Sequence, residues 1–104
     1  MEQIERIQEM ESCLDASEKA IRELSEALSS FEEIKPHYRK LCDYYGSDQW
    51  RRDYEDDEAG KLPADLKRGV LSEDAVYDLI TEHREVMVRM LKLVTGALEL
   101  DTLS

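Results

Sequence analysis

The chain has 104 residues, a net charge of −11 and 38% charged residues against 41% hydrophobic ones. That length fits one domain with a thin core, so burial against a second chain would add materially to its stability. The acidic balance repels phosphate and anionic lipid, so neither nucleic acid nor a membrane surface is expected as a partner.

The opening Met1-Glu2-Gln3-Ile4-Glu5 lacks a basic region followed by an apolar run, so no signal peptide is expected. The most apolar stretch, residues 86–100, is interrupted by Arg89, Lys92 and Glu99 and is too short to span a bilayer. A cytoplasmic protein is expected. Cys13 and Cys42 form no CxxC pair and have no His or Cys beside them, which reads as two reduced thiols.

A first long helix is predicted from about Glu2 to about Ile34. On a heptad its a and d positions are Ile7, Met10, Leu14, Ser17, Ile21, Leu24, Leu28 and Phe31, and Ser17 alone is polar. The g positions Cys13, Ala20, Ala27 and Ile34 widen the stripe beyond what a two-stranded coiled coil uses. The opposite face carries Glu5, Glu9, Arg22, Glu26 and Glu33. Pro36 cannot donate to the carbonyl four residues back, so the helix is expected to end or kink near Lys35.

Residues 36–71 read as short helices and turns. Pro36 suits a first turn, followed by Tyr38, Leu41 and Tyr45 at helical spacing. Gly46 can close that helix in a left-handed conformation, and Ser47 can cap the next with Asp48 just inside it. Trp50 and Tyr54, four residues apart, share a face. Gly60, Pro63 and Gly69 mark further breaks, and no stretch alternates as a strand would.

The last helix, 72–100, has the best-marked start. Ser72 is a good N-cap, Glu73 and Asp74 complement the helix dipole, and Leu71 with Val76 fits a hydrophobic staple. Its stripe is Val76, Leu79, Ile80, His83, Val86, Met87, Met90, Leu93, Val94, Ala97 and Leu100, with Leu91 and Leu98 widening it. A helix of 28 residues is about 42 Å long, whereas a compact globule of 100 residues is about 34 Å across. The expected fold is therefore all-α: one domain over 1–104, two long antiparallel helices forming a hairpin, short helices between them, and a bundle completed as a homodimer.

Five of the seven aromatics fall between positions 38 and 54. They read as a small second core or as a recognition surface, because Tyr, Trp and Arg dominate interface hot spots. The candidate interaction surface is Tyr44, Tyr45, Trp50, Arg51, Asp53 and Tyr54. The run from Asp53 to Glu58 lacks the central Gly and distal Glu of a calcium loop and reads as a solvated helix end. His37 and His83 have no carboxylate three residues before them, as a di-iron bundle would need. His83 reads as a half-buried imidazole with a hydrogen-bond partner. No nucleophile setting and no phosphate-binding Gly-rich loop is visible, so no catalytic residue, metal or cofactor is assigned and an enzyme is not expected.

Tyr44-Tyr45-Gly46-Ser47, Trp50, Asp53, Leu62-Pro63, Leu66 and Gly69-Val70-Leu71-Ser72-Glu73-Asp74-Ala75-Val76-Tyr77 together resemble domain-of-unknown-function family 4298. The opening Glu5-Arg6-Ile7 suits it as well. The resemblance implies a short cytoplasmic bacterial helical protein and supplies no activity or ligand. The function expected from the residues is a noncatalytic protein-interaction or structural module, with a homodimer and an unknown protein partner in view. The alternatives are an acidic DNA-mimicking inhibitor and a small-molecule or metal-binding bundle.

Overall fold

The computed structural model describes residues 2–103, with side chains through residue 99. Among the described residues the chain is helical with no strand, as the spacing of its apolar residues predicts. Three α-helices, α1 (Glu2–Tyr44), α2 (Asp48–Glu58) and α3 (Ala75–Leu103), are joined by turns and by a 3-10 turn at Gly69–Leu71. No helix is long and apolar enough to cross a membrane, among the described residues. The chain divides into two compact units, Met1–Tyr38 and Arg39–Ser104.

The first unit is a single stretch of α1. Unlike the predicted break at Lys35, the helix continues through Pro36 to Tyr44. Two costs compete there. An interior proline costs about 3 kcal/mol. Ending the helix at Lys35 and starting another requires a new nucleus, about 4 kcal/mol for a nucleation constant near 10⁻³. Residues 37–44 are too few to repay that as a separate helix, so carrying one missing hydrogen bond is the cheaper course. The predicted short helix beginning at Pro36 is thus the last two turns of α1. No residue of α1 is buried.

The second unit holds the small core. Gly46 ends α1 with φ +79°, a conformation that a side chain would strain. Ser47 then caps α2, its hydroxyl accepting from the Trp50 N–H at 3.2 Å. At the other end of α2, Gly60 takes φ +71°. There the Lys61 N–H donates to the Asp56 carbonyl and the Gly60 N–H to the Asp57 carbonyl, both at 3.0 Å. That pair of bonds is a Schellman motif, which satisfies two carbonyls the helix would otherwise leave open.

The residues of the predicted staple are the two buried side chains among those described: Leu71 is 7% exposed and Val76 3%. The 3-10 turn that carries Leu71 packs on both α2 and α3. Ser72 serves as anticipated, its hydroxyl accepting from the Ala75 N–H at 3.2 Å while donating to the Gly69 carbonyl at 2.9 Å. The α-helix itself starts three residues later than predicted, at Ala75. The Glu73 carbonyl accepts the Tyr45 hydroxyl at 3.0 Å, and the first bond of the ladder runs from the Asp78 N–H to the Asp74 carbonyl at 2.8 Å. Along the stripe of α3, Ile80, His83, Met87 and Met90 are half-buried, whereas Leu91, Leu93 and Val94 are exposed. The Leu100 side chain lies outside the described residues.

Candidate interaction site

The end of α1 and the capped start of α2 bring the aromatic side chains together. Because Ser47 fixes the first turn of α2, Trp50 and Tyr54 project from one face, and Tyr45 reaches the same place from beyond Gly46. Tyr45 and Trp50 meet edge to face, with ring centroids 5.4 Å apart and planes at 71°. Trp50 and Tyr54 stack at 5.3 Å and 22°. Both arrangements suit the ring quadrupoles.

The polar ends of these rings are spent on the segment that leads into α3. Trp50 Nε1 donates to the Val70 carbonyl at 2.8 Å. The Tyr45 hydroxyl donates to the Glu73 carbonyl at 3.0 Å, and the Tyr54 hydroxyl to Glu73 Oε1 at 3.1 Å. Three rings therefore grip residues 70–73 at three points. Every one of these contacts spans 19 or more positions in sequence. They hold the 3-10 turn against α2.

Tyr44 and Asp53 form a second contact between α1 and α2, the hydroxyl donating to Asp53 Oδ2 at 2.5 Å. Burial, the hydrogen bond and the Asp53 charge together push the Tyr44 hydroxyl up to about 12 from 10.0. Tyr54 is also raised, first by its hydrogen bond to Glu73 and then by the charges of Glu58 and Glu73. Both hydroxyls stay protonated donors at neutral pH. Arg51 turns back on its own helix start, donating to the Gly46 carbonyl at 3.1 Å and lying 3.5 Å from Asp48.

All six candidate residues thus lie around the junction of α1 and α2. Tyr44, Tyr45, Trp50, Asp53 and Tyr54 are half-buried, and Arg51 is exposed. One further residue, Arg68, has a structural part that the sequence reading missed. Its guanidinium meets the Asp57 carboxylate and the Pro63 carbonyl, and its Nε donates to the Leu66 carbonyl at 3.2 Å. It folds the loop after Gly60 back onto α2. The available signal was a lone Arg following a Pro-containing loop that itself follows an acidic run. The acidic run is partly neutralised in this way: Arg68 on Asp57, and Lys61 3.9 Å from Asp56. Among the described residues no group of three His, Cys, Asp or Glu side chains is placed to hold a metal ion. Cys13 is exposed and Cys42 half-buried, both free thiols.

The segment from Tyr44 to Tyr77 supplies the rings, the caps and the staple. Residues 7–93 match the family described as Domain of unknown function (DUF4298). The chain belongs to the DUF4298 family. Neither a curated protein nor a solved structure matches it. The DUF4298 match includes the whole aromatic junction, the Ser72 cap and the half-buried stripe of α3 as far as Met90.

Proposed function

We propose that this DUF4298 protein is a noncatalytic interaction module that docks a partner protein along the apolar stripe of α1. The observation that carries the reading is the row Ile4, Ile7, Met10 and Leu14, each 50–53% exposed on a helix with no buried residue. A row of this size at helical spacing is suited to a partner helix. The aromatic junction is the less suitable face. Its hydroxyls and its indole N–H are engaged within the chain, and engaging a partner would require releasing them.

An antiparallel hairpin is part of the proposal. The Tyr45–Glu73 hydrogen bond brings the lead of α3 to the residue after α1, and a helix starting there can return along α1. Such a pairing leaves part of α1 bare, because α1 has 43 residues against 29 in α3, a difference of 14. That overhang is about 21 Å of helix, and Ile4, Ile7, Met10 and Leu14 lie on it.

The test is affinity purification from the native cell with full-length bait, wild type against the double substitution I7D/M10D. The expected result is a partner recovered with wild type and lost with the variant, while circular dichroism and Tm of the two baits agree. Equal recovery by both baits would remove the stripe from the proposal. A partner lost instead with Arg51→Ala, with folding unchanged, would move the docking surface to the aromatic junction.

A further inference from the structure

The borders of the α1 stripe carry information about what covers it. The stripe occupies the g, d and a positions, so the rows that flank it are c and e. In the overhang the c row is Glu2 and Glu9, and the e row is Ile4, Glu11 and, one heptad on and just beyond the overhang, Glu18. All are exposed, and neither border carries a basic side chain anywhere along residues 2–34. Over that length ten acidic side chains stand against three basic ones, Arg6, Lys19 and Arg22. Lys19 lies 4.0 Å from Glu23 of its own helix. In the overhang a mainly apolar strip, which also carries Gln3 and Arg6, thus runs exposed between a c border of Glu2 and Glu9 and an e border of Ile4 and Glu11.

We infer that the occupant of this strip is a basic amphipathic helix of another protein, with Lys or Arg flanking its own apolar row. The inference rests on the docking reading above and names the chemistry of the partner. Opposite charges at the borders steer encounter and select the partner, whereas like charges facing each other across an interface penalise it. A parallel second copy of this chain is the wrong complement. With the apolar rows in register, Glu9 faces Glu11 of the copy and Glu11 faces Glu9. A basic helix replaces each of these oppositions with an ion pair, at positions where e and g charges set partner choice in helix pairs.

The test uses the full-length protein and three labelled synthetic peptides of three heptads, with Leu at a and d and either Lys, Gln or Glu at e and g. Fluorescence anisotropy measures binding at low and high salt, and sedimentation equilibrium measures the mass of the protein alone. The expected result is binding of the Lys peptide about tenfold or more tighter than the Glu peptide, weakening as salt rises. I7D/M10D abolishes that binding. E9K/E11K, which leaves the apolar row intact, reverses the preference towards the Glu peptide. Equal binding of all three peptides, lost in I7D/M10D, would overturn the charge inference while leaving the stripe as a docking surface. Binding of the Lys peptide that survives I7D/M10D is attraction to net charge and overturns the inference. A dimer that I7D/M10D dissociates would make the second copy the occupant and overturn it too. No binding of any peptide to a monomer would remove both the inference and the docking reading.

Discussion

Bulky side chains are treated differently around the aromatic junction and along the first unit. At the junction and the lead into α3 they are drawn together: Trp50 lies between Tyr45 and Tyr54, and Leu71 and Val76 fall below a tenth of their possible exposure, although Leu91, Leu93 and Val94 further along α3 stay exposed. Over the first unit, Ile4, Ile7, Met10 and Leu14 are of similar apolar size and are half exposed or more. The difference lies in chain architecture rather than in composition. The second unit contains glycine-closed helix ends, caps and a 3-10 turn, which fold the chain back on itself. The first is one uninterrupted helix, and a single helix has no second surface of its own on which to bury a stripe. Its stripe is therefore exposed within that unit.

The comparison can be broken most directly at the small core. Leu71→Ala should cost about 2–3 kcal/mol of unfolding free energy through lost burial and a residual cavity, whereas Ile7→Ala should change it by less than about 0.5 kcal/mol. Urea denaturation of both variants checks this, and equal losses would mean that Ile7 is covered in the isolated chain. Gly60→Ala should cost about 1–2 kcal/mol from left-handed backbone strain alone, because its φ is +71° and no atom lies within 4 Å of the added carbon. Thermal unfolding monitored by circular dichroism reads that loss. Trp50→Phe keeps one aromatic ring but loses the pyrrole portion with its Nε1 hydrogen bond to Val70, and should cost about 1 kcal/mol or more in the same assay.

The smallest effect is confined to alkaline pH. Tyr44 is raised to about 12 in the folded chain from 10.0. Its contribution is therefore fully present below pH 10 and is lost as pH climbs through 12, because the unfolded chain gives up that proton first. Tyr44→Phe should flatten the fall in stability over that window. An unchanged slope would dissociate the Tyr44–Asp53 contact from stability.

Much of the second unit was legible because its signals are local. Gly46 and Gly60 at helix ends, Ser47 three residues before Trp50, and Leu71 with Val76 about Ser72 follow from rules that act over a few residues. The passage of α1 through Pro36 was not legible. The proline rule is local, but the outcome depends on whether eight following residues could support a helix of their own. The partners of the rings were hidden for another reason. Val70 and Glu73 receive them partly through backbone carbonyls, which every residue carries, so nothing in the sequence marks those two positions. Arg68 shares that property, since two of its three acceptors are main-chain oxygens of the loop it closes. The candidate residues thus lie together around one junction, while the uses to which their polar atoms are put were decided by tertiary folding.

The central claim, that the chain leaves the start of α1 uncovered while holding its aromatic junction closed, is tested most directly by amide hydrogen exchange. With the full-length protein alone, mass spectrometry should find fast exchange over residues 2–14. Slow exchange is expected over residues 48–58 and 75–83, where helices are held by the rings and by Leu71 and Val76. Protection of residues 2–14 equal to that of α2 would contradict the account, because it would place the stripe under cover before any partner arrives.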